Sequence, residues 1–253
     1  MRTFCFLALA SVFGGCHGGS ASSAPGAADE VQAPAAGLGE LIYRGEVVPQ
    51  GHDTVDFVYE RWVSHGDEEW TSAHLTRAAG SEALLVAQHA VHSPDYALRR
   101  FDEVHRQTGT VSSVLVHEDG RVDYETTRGG RVKRRTEAAG VPVVVGPTLF
   151  GFVRRHWEAL ERGEAVPLRF AAADRARSYG FTLRRGEAGP GTTTIEMVAD
   201  QALVRWSVGP MFMVFDTQQR TIVRYVGRVP PRLDERRAIG ARVDYEQVAT
   251  VYR

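Results

Sequence analysis

Residues 143–163 read VVVGPTLFGFVRRHWEALERG. Leu149, Phe152, Val153, His156, Trp157 and Leu160 recur at intervals of three and four, which gathers them into one apolar stripe of a helix. Gly146 and Pro147 suit an N-cap and a first helical position, and Gly163 suits a C-terminal stop. Arg154, Arg155, Glu158, Glu161 and Arg162 take the other side, with Arg154–Glu158 and Glu158–Arg162 spaced for i,i+4 ion pairs. A single capped helix is therefore expected over 147–162. Its apolar stripe needs an apolar surface to lie on, and the rest of the chain says what that is.

Outside this helix the chain alternates at period two, the signature of half-buried strands. Val55, Phe57 and Tyr59 share one face; Val166, Leu168 and Phe170 repeat the pattern, and so do Tyr179, Phe181 and Leu183. Ser64-His65-Gly66-Asp67, Glu118-Asp119-Gly120 and Arg128-Gly129-Gly130 are turn signals between such runs. Residues 110–136 thus read as a three-stranded meander with its middle strand at Val122 to Thr126. The segment AHLTRAAGSEALLVAQHAVHS reads as strand. In DQALVRWSVGPMFMVF, 200–215, Asp200 suits the cap of a helix of about two turns that Gly209-Pro210 would end. A hairpin around Asp216 to Gln219 and a strand near Val243 to Val248 close the chain. Short strands joined by short turns give an antiparallel sheet. The expected fold is α+β: a curved, half-barrel-like antiparallel sheet of roughly ten strands, with the one long helix packed in its concave face.

The N-terminus, MRTFCFLALASVFGGC, has one basic residue, an apolar run and small residues before Cys16. This is the pattern of a secretory signal peptide over 1–15, too short for a stable membrane span. Its end resembles a bacterial lipobox, with Phe13 where leucine is usual and Gly14 at the second position. The resemblance implies lipidation of Cys16 and, with His17 rather than aspartate next, an outer-membrane address; without lipidation the protein would be secreted. Cys5 would leave with the signal, so the mature chain has no cysteine pair. Residues 16–39 are rich in Gly, Ser, Ala and Pro and read as a tether reaching about 25–30 Å, and 40–253 as one β-rich domain.

The charge is balanced at -1, with no electrostatic reason to bind nucleic acid. Lys133 is the only lysine, so 29 of the 30 basic residues are arginine; a GC-rich genome explains that before anion binding does. No cofactor or catalytic motif stands out. His89 and His92 would share a helix face and hold a metal, but on a strand a spacing of three puts them on opposite faces. His156 beside Trp157 reads as a partly buried histidine bonded to main chain, ahead of a polar contact in a pocket. No G-x-S-x-G elbow surrounds Ser112 or Ser113, and Asp67-Glu68-Glu69 and Asp102-Glu103 read as solvated charges. Arg99, Arg100, Arg106, Arg131, Arg134 and Arg135 suit lipid headgroups or polysaccharide, or the plain outward face of strands.

Taken together, GPTLFGFVRRHWEALERGEAVPLRF, RSYGFTL and ALVRWSVGPMFMVFDTQQRTIVRYVG resemble a family of uncharacterised bacterial envelope lipoproteins over roughly Val141 to Gly227. In that family a proline turn carries an aspartate where this chain has Gly209. More loosely, tether, sheet and packed helix look like the half-barrels of the lipoprotein-localisation (Lol) carriers. That likeness implies an apolar cavity holding acyl chains. Phe150, Phe152, Val153, Trp157, Leu160, Trp206, Met211 and Met213 are the candidates to line it, adaptable methionines and large aromatics suiting variable chains. The expected function is non-enzymatic: a lipid-anchored envelope protein binding a hydrophobic or acyl-chain ligand. The alternative is a structural or interaction lipoprotein with a solid core, meeting an envelope protein partner through a sheet edge or an arginine-rich face. Trp157→Asp separates the two: a cavity loses its ligand while the sheet stays folded by circular dichroism, whereas a solid core unfolds.

Overall fold

The computed structural model describes residues 38–233 and 238–249. The expected signal peptide, Cys16 and the tether up to residue 37 lie outside the described residues. An antiparallel meander comes first: β1 (Glu40–Pro49), β2 (Phe57–His65), β3 (Trp70–Ala78), β4 (Leu84–His92), β5 (Leu98–His105), β6 (Thr110–Val116), β7 (Arg121–Arg128) and β8 (Arg131–Ala138). A short strand, β9 (Val143–Val144), then leads into helices α1 (Gly146–Arg155) and α2 (Trp157–Glu161). A second meander holds β10 (Val166–Ala172), β11 (Arg177–Gly189), β12 (Thr192–Ala199), helix α3 (Ala202–Val208), β13 (Phe212–Asp216), β14 (Ile222–Arg232) and β15 (Ala238–Gln247). Antiparallel pairing of β15 with β1 joins the two into one 15-stranded sheet, ordered β8-β7-β6-β5-β4-β3-β2-β1-β15-β14-β13-β12-β11-β10-β9. Among the described residues only the β9–β10 pair is parallel.

The strand count corrects the expectation of roughly ten. The stretch read as strand between Ala73 and Ser93 is the β3–β4 hairpin, turned at Gly80, whose φ of 70° an L-residue adopts only with strain. The meander over 110–136 is β6, β7 and β8, joined as expected at Gly120 and at Gly129-Gly130.

The sheet curls until its two halves meet. Gln107 Nε2 donates to Arg232 O at 2.7 Å, and Arg232 N–H returns a bond to Gln107 Oε1 at 3.0 Å, which ties the turn after β5 to β14. His105 Nε2 lies 2.9 Å from Pro230 O. At the seam, Thr126 Oγ1 donates to Ala173 O, Lys133 Nζ to Arg175 O, and Ser178 N–H and Oγ–H both to Glu137 Oε1. Side chains close the barrel there, while β8 and β9 remain the two edges of the ladder.

The helix fills the concavity. Pro147 to Val153 are all buried, so α1 is covered on every side rather than along one stripe. The expected continuous helix is broken at His156, whose φ and ψ are -99° and 13° and whose N–H is shared between Phe152 O and Val153 O. The break lets Trp157 and Leu160 turn inward from α2 (Trp157 is 1% exposed). Phe215 of β13 is met edge-on by Phe150 at 6.3 Å and by Trp157 at 5.5 Å. Tyr245 of β15 meets Phe150 at 5.4 Å. Gly146 opens the helix one residue earlier than expected, and Val145, with no polar side chain, is the N-cap; Thr148 Oγ1 accepts the Val145 N–H instead.

Gly151 allows this seating. A Cβ there would stand 1.9 Å from the Tyr96 ring, well inside van der Waals contact. Gly151→Ala is therefore expected to cost on the order of 2 kcal/mol through overpacking, read as a lower urea midpoint at unchanged m-value. An unshifted midpoint would mean that the helix is not held against Tyr96.

Candidate functional site

Seven of the eight residues expected to line a cavity come together in one buried cluster: Phe150, Phe152, Val153, Trp157, Leu160, Met211 and Met213. They interdigitate there with inward residues of the sheet, among them Leu168, Phe181, Leu183, Ile195 and Phe215. Trp206 is the exception. It stands 85% exposed on α3 beside Leu203, 77% exposed. The seven-residue α3 is turned so that the Arg205 guanidinium donates to Ala199 O at 2.9 and 3.1 Å, which leaves Leu203 and Trp206 on its outer side. Asp200, expected to cap this helix, instead accepts the Thr182 hydroxyl at 3.0 Å, and Gln201 is the N-cap.

Across the other half of the interior, beside apolar clusters that include Phe101, Val114 and Val122, runs a polar row. The register aligns Tyr43, Arg61, His74, Gln88, Glu103, Ser112 and Thr126 as one cross-strand row running from β1 to β7. All seven are buried. Strand alternation puts them on the face that Val63, Phe101 and Val114 also occupy. The Arg61 guanidinium lies 5.9 Å from the Tyr43 ring centroid, Gln88 Nε2 donates to Glu103 Oε2 at 2.6 Å, and Thr126 reaches the seam. The N-terminus of α1 rests on the middle of the row. Gln88 Oε1 lies 3.3 Å, and His74 Nδ1 3.8 Å, from where a Cβ on Gly146 would stand. The positive end of the helix thus faces an amide oxygen and an uncharged ring.

Burial sets the charges here. It pushes the Glu103 carboxyl up to about 7 against the bond from Gln88, with Asp174 adding to the rise and Arg232 opposing it. Burial, and then the Arg61 charge, brings His74 down to about 3. Four residues beyond Gln88 on the same face of β4, His92 is brought down to about 4, mainly by burial. His92 Nε2 lies 2.9 Å from Ser72 Oγ, and its ring stacks on Tyr96 at 5.1 Å. These groups form a polar wall whose imidazoles are neutral at physiological pH and whose one carboxyl titrates near it. Glu103 was missed as part of a site because Asp102-Glu103 reads as two like charges. The signal that finds it is the alternation Phe101, Glu103, His105, which puts Glu103 inward, while Asp102 pairs outside with Arg100 at 2.8 Å.

The remaining suspects are scattered. His89 lies on the outer face of β4, opposite in direction to His92. Among the described residues, no three His, Cys, Asp or Glu side chains are placed to hold a metal ion. His156 is half-buried and packs on the Phe152 ring at 4.5 Å. Ser112 faces inward beside Glu103 while Ser113 faces out. Glu69 pairs with Arg99 at 2.6 Å on the surface. Arg134 pairs with Glu125 at 2.6 Å, and Arg131 is exposed at the β8 edge.

No family model and no curated protein matches the chain. Among solved structures it is similar to a beta-barrel-like protein of domain of unknown function DUF1849 from Brucella abortus. The TM-score is 0.40 at 12% identity, over 83% of this chain and 97% of that one. A likeness of that size carries no argument about function.

The buried charges predict a pH dependence. Glu103 binds its proton more tightly folded than at the ordinary value of 4.5, so its share of stability is full below 4.5 and is lost as pH rises through about 7. The histidines act oppositely: their share is present above 6.5 and is lost as pH falls toward 3 to 4. Glu103→Gln should therefore match the parent below pH 4.5 and exceed it increasingly up to about pH 7, by at most about 3 kcal/mol. Melting curves of both proteins across this range check it; parallel curves would place an ionised Glu103 in water.

Proposed function

We propose that this chain is an exported, lipid-anchored envelope protein of the periplasmic face that works without catalysis, by presenting its outer surface and sheet edge to a protein partner. The observation that carries this reading is the packing of the helical segment. Phe150, Phe152, Val153, Trp157, Leu160, Met211 and Met213 occupy the concavity themselves, with Phe150 edge-to-face on Phe215 and Tyr245 and Trp157 on Phe215. A ligand of the acyl-chain class, the other expectation from the lipoprotein address, would have to displace this cluster. Parting it re-exposes apolar surface at roughly 25 cal/mol for each Å2. A solid core is the reading that leaves these contacts intact. The lipobox-like run ending in Gly14-Gly15-Cys16 supports the anchor, and the Gly, Ser, Ala and Pro composition of 16–39 suits a tether between it and the domain.

Native mass spectrometry of the mature chain tests the core. The expected mass is that of the polypeptide plus an acyl modification confined to the N-terminal tryptic peptide that begins at Cys16. Fluorescent fatty acid should not be taken up. Cys16→Ser should leave the membrane fraction and lose incorporation of radiolabelled palmitate. A non-covalent acyl lipid released from the domain would overturn the solid-core reading in favour of a carrier.

A further inference from the structure

We propose that the free edge of β8 is a docking strand that takes an extended acidic segment of a partner protein as an added strand. The inference rests on the interaction-protein reading above and names the partner's chemistry.

β8 reads RVKRRTEA, with Arg131, Lys133, Arg134 and Arg135 against the single carboxylate of Glu137. It pairs with β7 in unbroken register from Arg121↔Ala138 to Arg128↔Arg131, and among the described residues no strand lies on its other side. Every residue of it except Glu137 is exposed. The backbone atoms it offers follow from the turn. Gly129 and Gly130, with φ of 55° and 73°, make the two-residue primed hairpin that the twist of paired strands favours. That turn closes on the pair Arg128↔Arg131, and past the other end of the strand Ala139 N–H bonds to Gly120 O at 3.0 Å. In an antiparallel ladder the bonded pairs alternate. Residues 131, 133, 135 and 137 therefore spend their main-chain groups on β7. Those of Val132, Arg134 and Thr136 face outward, in line and spaced for a further strand.

Edges of this kind are usually blunted by proline, a bulge or charge. β8 has neither proline nor bulge. Its charge is the only device, and charge discriminates. A second copy of β8 would bring four cations against four cations, so self-pairing is disfavoured, whereas an acidic strand is drawn in. Lys133 gives its ammonium to a main-chain carbonyl, Arg175 O, at 2.8 Å. Beside the edge, the outer face carries a groove of about 560 Å3 whose walls include Arg100, Leu115, Arg121, Glu125, Arg134 and Arg135. Exposed Val132 and Val111 continue an apolar line across the same face. An added strand would set alternate side chains onto this surface, so the fitting sequence alternates acidic with β-branched apolar residues.

The test is fluorescence anisotropy with a labelled octapeptide alternating Glu and Val, titrated with the purified mature chain. Val132→Pro removes one outward N–H, touches no β7 bond and keeps every charge. It is expected to weaken the peptide about five- to tenfold while binding a heparin fragment as the parent does. Arg131→Glu with Arg134→Glu should weaken both probes. In the unmodified chain, the peptide should slow amide exchange at Val132, Arg134 and Thr136, a readout independent of whether the proline variant folds. Peptide binding that ignores Val132→Pro, with no slowed exchange, would show a polyanion patch and overturn strand addition. No binding by the parent chain would overturn it as well. With bare polypeptide mass in native spectra, either failure leaves the interaction-protein reading standing; a captured acyl lipid would remove that reading itself.

Discussion

A long sheet that curls back on itself encloses a volume its own inward side chains must fill, and the width of that volume grows with the number of strands. In this protein the filling is α1 and α2. The sheet brings Leu168, Phe181, Leu183, Ile195, Met213 and Phe215 to one side of the space, and the helical segment supplies Phe150, Phe152, Trp157 and Leu160 to meet them. Nearly everything else follows from getting a helix into that place. Gly151 yields to Tyr96, the helix breaks at His156 so that Trp157 can point inward, and the β8–β9 connection delivers the chain from the sheet edge into the interior.

One wall of the enclosed space carries a polar row among apolar residues, and the helix reaches it with its N-terminus. Its body lies on apolar strands, while its N-terminus rests on the row containing His74, Gln88 and Glu103. A helix N-terminus carries unsatisfied N–H groups and partial positive charge, so an apolar wall would be a poor place to bury it. The Gln88 amide suits the position because it can present oxygen to the helix while its nitrogen bonds Glu103. The polar row is thus part of how the plug is seated, and the raised carboxyl of Glu103 is a consequence of placing it there. A buried polar row also has one best alignment with its neighbours, which favours a single seating of the helix over slides along its axis.

The fold was legible where one periodicity dominated. Alternation through Phe57 and Tyr59, or Val166 and Leu168, marks a strand with one wet face, and the same residues are buried in β2 and β10. The glycines at 120, 129 and 130 marked real turns because each needs a positive φ. Legibility failed where the pattern carries no information about the third dimension. Residues Leu203 and Trp206 are apolar like those that face the core, and only the packing of Arg205 on Ala199 O shows which way α3 turns. Glu103 was hidden for the converse reason: a carboxylate reads as solvated until its strand is known to face inward with Phe101. The seam bonds from Thr126, Lys133 and Glu137 join residues some forty positions apart, and nothing local announces them.

If the helical segment is the plug of a solid core, it cannot open without losing the sheet around it. Native-state amide exchange across 146–161 addresses this directly, because a core element exchanges only through global unfolding whereas a lid or cavity wall opens on its own. The amides of Phe150, Phe152 and Val153 are expected to share the opening free energy and denaturant dependence of the most protected strands. Exchange of these amides through a separate, low-energy opening while the strands stay protected would contradict it, and would make the helix the wall of a cavity.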